Sequence, residues 1–225
     1  ADNLRRGSPD QSGTTQMTIS LLLAEQPSDK RAADSIVAKH HSYVPSIRVV
    51  GRCLKYLCFS DEVLVGTFWV GSFMKPTPKD MLRAMGLSQA IVDRRFNSFA
   101  DNKKFCMAVS IPNAGSQVLK HVRARVADDW KRRYGDELLA MFTTIGSGKN
   151  GAVYRADNWE VVGHTAGLPP KRSAVSMKWD DAATISQRFV KPTGEDKKLI
   201  LGTARLAGRR STLASVHRTV GADLL

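Results

Sequence analysis

The chain is short of acidic residues, of cysteine and of long apolar runs, and each shortage excludes something. No hydrophobic stretch approaches the ~20 residues that a membrane helix needs, so no membrane partner is expected. The run Ile19-Ser20-Leu21-Leu22-Leu23 is too short, behind a polar leader, to read as a secretion signal. Three cysteines, Cys53, Cys58 and Cys106, lack metal-ligand spacing and form an odd set, so they are expected to be reduced thiols. A cytoplasmic protein follows. No internal repeat is visible, and nothing has the pattern of a zinc finger or a serine hydrolase elbow. Gly146-Ser-Gly-Lys149 lacks both the upstream glycine spacing of a phosphate-binding P-loop and the hydroxyl after its lysine.

What is abundant is positive charge. Lys and Arg number 34 against 21 Asp and Glu, a formal net charge of +13. The basic residues do not lie on one amphipathic helix with a bulky apolar face, so the implied partner is a polyanion, nucleic acid before membrane. Lys131, Arg132 and Arg133, Lys149, Arg155, and Lys171 with Arg172 are the clusters expected to track phosphates.

At 225 residues one domain with some decoration is expected. Residues 1–17, polar and rich in Gly, Ser, Asp and Arg, read as a flexible arm; 18–167 hold the domain; 168–225 form a basic, irregular extension that packs on or continues it, with weak strands near 185–190 and 199–203. Ile19–Leu23 suits a short strand, and Ser28 caps an expected helix running to Ala38. Two alternating runs, Arg52–Ser60 and Val63–Gly71, flank Asp61-Glu62 as a hairpin. Thr77-Pro78-Lys79-Asp80 has the order of a helix start, and Ser88 begins another helix to about Phe96. A β-rich run covers Lys104–Ile111. Val118, Leu119, Val122, Val126 and Trp130 then make one helical stripe, which Gly135 ends. Strands are expected at Leu138–Thr143 and Trp159–His164.

One stretch has the look of a site. Gly151-Ala-Val-Tyr154-Arg-Ala-Asp-Asn158-Trp159 puts a phenol, an amide and an indole after a glycine loop, a set able to donate a proton, read a base edge and stack. With Gly163 and Thr165, this run resembles the tyrosine–small–Asn-Trp signature of phage Mom-type DNA-modification proteins. It is also similar to a domain in Druantia anti-phage proteins. The likeness runs from about His40 to about Gly167.

The resemblance implies an α/β protein with an acetyltransferase-like (GNAT-like) mixed sheet flanked by helices. It also implies transfer of a small group to a base, adenine in the family, in double-stranded DNA. His40, His41 and Tyr43 fall where the family has a His-Tyr pair. On that footing Tyr154, His41 and Tyr43 take the chemistry, and His40, Asn158 and Trp159 hold the substrate. The loop Asn113, Gly115, Ser116 and Gln117 holds a donor at a helix N-terminus. Acyl-CoA and a transition metal both stay open as cofactors. One position departs from the pattern: ten residues before the tyrosine the family has aspartate, and here stands Thr144. That departure keeps two other readings in view, a DNA-binding or phage-assembly protein that has lost catalysis, and an acyl-CoA-dependent acetyltransferase of small amines.

Overall fold

A computed structural model describes residues 18–41, 46–75, 77–146, 149–165 and 198–222. The expected arm at 1–17, Tyr43, Lys171, Arg172 and the expected strand at 185–190 lie outside these residues.

Seven strands form one mixed sheet: β1 (Ile19–Leu23), β2 (Cys53–Ser60), β3 (Val63–Ser72), β4 (Phe99–Met107), β5 (Ala140–Ile145), β6 (Glu160–His164) and β7 (Leu199–Thr203). The spatial order is β1-β2-β3-β4-β5-β7-β6. The β2–β3 hairpin turns at Asp61 and Glu62, whose φ values of 45° and 69° fit the left-handed geometry of a tight hairpin. β4 and β5 are parallel neighbours, whereas the remaining pairs are antiparallel. β7, drawn from the basic C-terminal stretch, is inserted between β5 and β6 and so is an interior strand.

Both faces of the sheet are covered, which is why alternation in its strands is incomplete. On one face lies α4 (Ala114–Tyr134), whose Val118, Leu119, Val122, Val126 and Trp130 are all buried against Tyr56, Phe68 and Met141. Gly135 closes this helix in the left-handed conformation at φ 79°, its N–H donating to Lys131 O at 2.8 Å. On the opposite face α1 (Pro27–His40) packs Ala33, Ile36 and Val37 on Leu57 and Trp69. Beside it α2 (Lys79–Met85) and α3 (Gln89–Arg94) pack on Phe73, Phe99 and Phe142. A final helix, α6, covers Val216–Ala222.

Several expected boundaries move for local reasons. α1 begins at Pro27, with Gln26 as its cap rather than Ser28, and the Gln26 N–H donates to Asp29 Oδ2 at 3.3 Å. Pro78, not Thr77, caps α2, and α3 stops at Arg94 before a 3-10 turn over Phe96–Ser98. β4 begins five residues earlier than expected, because tertiary pairing carries the polar run Asp101-Asn-Lys-Lys104 into the sheet.

Candidate active-site cleft

The site arises where two parallel strands part. Phe99–Asp101 of β4 pair with Ala140–Phe142 of β5, and among the described residues their ladder ends there. Beyond that vertex β4 stays with β3 as far as Met107, while β5 follows β7 to Ile145. The diverging strands leave a cleft of about 780 Å³, floored by Asn102–Met107 and Thr143–Gly146. Its walls are His40 and His41 at the end of α1, and the segment from Lys149 to Tyr154.

That segment includes a fifth helix, α5 (Ala152–Ala156), entered through Gly151 at φ 68°. A Cβ at Gly151 would lie 2.5 Å from Leu201 Cδ1, so both the conformation and the close approach require glycine. The Asn150 side-chain oxygen accepts from the Ala152 N–H at 3.0 Å and sets the first turn. α5 delivers Tyr154, 6% exposed, onto Phe105 and Trp159, with edge-on ring contacts at 6.3 and 5.1 Å. At the vertex, Asn102 Nδ2 donates to the Tyr154 hydroxyl oxygen.

Of the expected site residues, His40, His41, Lys149 and Tyr154 meet in this cleft. Asn113–Gln117 do not line it, but Gly115 abuts it: a Cβ there would sit 2.5 Å from Val153 Cγ2 and 3.7 Å from Phe105 Cζ. Asn113 is left-handed at φ 60° and makes no side-chain capping bond, so it is not an ordinary helix cap. The Gln117 N–H is used by Asn113 O at 3.2 Å. Gly115 and Ser116 belong to the first turn of α4, where backbone amides have no partner within the helix.

Other expectations are corrected. Trp159 is not a stacking platform: it is 4% exposed, and its Nε1 donates to Asp157 Oδ2 at 3.0 Å. Asp157 in turn takes two hydrogen bonds of 2.6 Å from Arg123, which fixes the whole turn after α5. Asn158 sits in that turn at φ 59° and does not line the cleft, and Arg155 is exposed outside it. Lys131, Arg132 and Arg133 occupy the last turn of α4, about 25 Å along the helix from its cleft end. Arg132 is held by Asp129 at 2.6 Å.

Sequence reasoning missed the β4 floor. Asn102, Lys103 and Lys104 all line the cleft, which simple alternation forbids. A bulge opposite Trp69 and Val70 leaves Lys103 out of the β3 register and re-aims it. The missing side chain of Gly71 makes room for the Lys103 stem, since a Cβ there would lie 2.8 Å from Lys103 Cγ. The only hint in the sequence was a polar quartet ahead of an apolar run.

The basic side chains lining the cleft are His40, His41, Lys103, Lys104, Lys149 and Lys198, and no carboxylate is among the described lining residues. Thr144 lines the cleft where the resemblance expects an acid. Burial, and then the charges of Lys104 and Lys149, hold the His41 imidazole below its usual 6.5, so it is neutral at pH 7. Burial also lowers the Lys104 ammonium. Cys106 lines the cleft with its thiol pushed up by burial, and Cys58 is pushed up to about 12, so neither is a nucleophile at neutral pH. Among the described residues no group of three or more His, Cys, Asp or Glu is placed to hold a metal ion. None of the described helices is long and apolar enough to cross a membrane.

A seven-stranded mixed sheet with a splayed parallel pair and helices on both faces is an acetyltransferase-like α/β fold. No family model matches the chain, and no characterised protein matches its sequence. Solved structures similar to it include a Salmonella typhimurium acetyl transferase that modifies the N-terminal serine of ribosomal protein L7/L12. That pair has 11% identity and a TM-score of 0.46, over 84% of this chain and 99% of the other. Another is FeeM, an N-acyl amino acid synthase from uncultured soil microbes, at 13% identity and TM-score 0.45, over 85% and 93%. A third is the IAA acetyltransferase of Bacillus cereus ATCC 14579, at 12% and 0.41, over 83% and 98%. At such identities and TM-scores the likeness carries no argument about this chain's activity or substrate.

Proposed function

We propose that the chain is a group transferase that works in the β4–β5 cleft and acts on a base in DNA. The observation that carries this reading is Tyr154, its hydroxyl oxygen bound by Asn102 at the vertex of a cleft whose described lining carries histidines and lysines and no carboxylate. The phenol, positioned by the Asn102 amide, acts as the acid that protonates the leaving group. His41, neutral at pH 7, takes the proton that the acceptor nitrogen loses. Lysines around the cleft attract the phosphates flanking a base withdrawn from its stack. An acyl-CoA, when bound, would supply an activated acyl group. The Gly115 and Ser116 amides would hold its phosphates at the start of α4.

A second reading, an acetyltransferase of small amines, is favoured by one observation: Asn158 and Trp159, assigned to a nucleobase by resemblance, are turned away from the cleft. Mass spectrometry of nucleosides from cells expressing the protein separates the two. A new modified nucleoside, absent with Tyr154→Phe, is the expected result. An unchanged profile together with an acetyl-CoA-dependent rise in melting temperature supports the small-amine reading. An unchanged profile with salt-sensitive DNA binding and no response to acetyl-CoA leaves a DNA-binding protein.

A further inference from the structure

We propose that Asn102 is a bifunctional positioning residue: one end of its amide orients Tyr154, and the other accepts a hydrogen bond from an amino group on the acceptor. The inference rests on the transfer reading of the cleft and names the acceptor chemistry within it. Asn102 is the first β4 residue beyond the last β4–β5 pair, so it stands at the vertex and lines the cleft. Its Nδ2 is engaged by Tyr154, whereas its Oδ1 is buried without a hydrogen-bond partner. Buried carbonyl oxygens in folded proteins are seldom left so, and an amide oxygen can be satisfied only by a donor. The nearest cation on the same strand does not serve, because Lys103 Nζ is tied to Asp101 Oδ2 at 2.9 Å. A side chain that merely filled this place would use both amide ends within the protein or carry no polar atoms. A donor arriving with the acceptor completes the set, and it places the acceptor nitrogen next to the group that protonates the leaving atom.

The test compares Asn102→Asp, Asn102→Leu and Tyr154→Phe, each checked for folding by near-ultraviolet circular dichroism. Turnover is measured on an adenine-containing oligonucleotide. Binding is measured for deoxyadenosine against purine deoxyriboside, which lacks the exocyclic amine, and for CoA. Asn102→Asp keeps an acceptor oxygen and loses the N–H given to Tyr154, so kcat falls about 10-fold or more while the preference for the amine-bearing nucleoside persists. Asn102→Leu loses both the turnover and the preference. In the Tyr154→Phe background Asn102→Asp adds little further loss, since both changes remove one shared contact. Wild-type turnover and preference in folded Asn102→Leu overturn the proposal, as does a weakening confined to CoA. If the wild-type protein modifies no nucleoside, the transfer reading fails on its own. The amine preference in binding then decides the role of Asn102, and equal affinity for the two nucleosides overturns it.

Discussion

Asp101 offers a quantitative test of how the cleft floor is built. It is 4% exposed on β4; one carboxylate oxygen accepts from Lys103 at 2.9 Å, and the other has no partner. Burial raises its pKa from 3.8 to about 6, with the Lys103 charge and hydrogen bond pulling the other way. A carboxyl whose folded pKa exceeds its unfolded value binds its proton more tightly in the native state. Its contribution is therefore most favourable below about pH 4, and stability is lost as pH rises through about 6. A shift of roughly 2 units is worth about 3 kcal/mol at ~1.36 kcal/mol per unit. Asn has the same shape and does not titrate. Asp101→Asn should therefore gain on the wild type by about 3 kcal/mol between about pH 4 and about pH 8, some 6–12 °C in Tm for a chain of this size. Urea melts of both proteins across that range give the difference directly, and other titrating groups cancel in it. A difference that stays flat with pH refutes the reasoning. A wild type that gains on the variant as pH rises would show that the Lys103 pair outweighs the burial of the carboxylate.

Other residues give sharper local outcomes. Asp157→Asn removes the charge facing a largely buried Arg123 and weakens the anchor of Trp159; a loss of about 3 kcal/mol is expected in a denaturant melt, and a loss under about 1 kcal/mol would contradict a buried ion pair. Gly151→Ala meets both a left-handed backbone and Leu201, so it should cost at least ~1 kcal/mol and reduce any transfer activity by more than the unfolded fraction explains. Replacing Lys131, Arg132 and Arg133 together with Gln should flatten the salt dependence of DNA binding by a slope of about 2 rather than about 3, because Arg132 already serves Asp129. An unchanged slope would place the DNA elsewhere on the surface.

Much of the scaffold was legible because its signals are local. The stripe from Val118 to Trp130 has helical spacing and ends at a glycine that takes positive φ, and Asp61-Glu62 between alternating runs makes its hairpin within twenty residues. Tyr154 was conspicuous for the same reason, sitting just past a glycine that begins a short helix. Asn102 was not. Nothing in Asp101-Asn-Lys-Lys104 announces a strand, and only pairing with β3 and the bulge there turns three consecutive polar side chains to one cavity. The orientation of Asn158 and Trp159 was equally hidden, because it depends on Arg123, 34 residues before the Asp157 it binds. The sequence by itself determined most of the strands and helices, and where the phenol and imidazoles lie along the chain. Tertiary structure decided which of them meet. The cleft exists because β4 follows β3 and β5 follows β7 past a common vertex, and hydrogen-bonded register between strands distant in sequence has no signature in either strand alone.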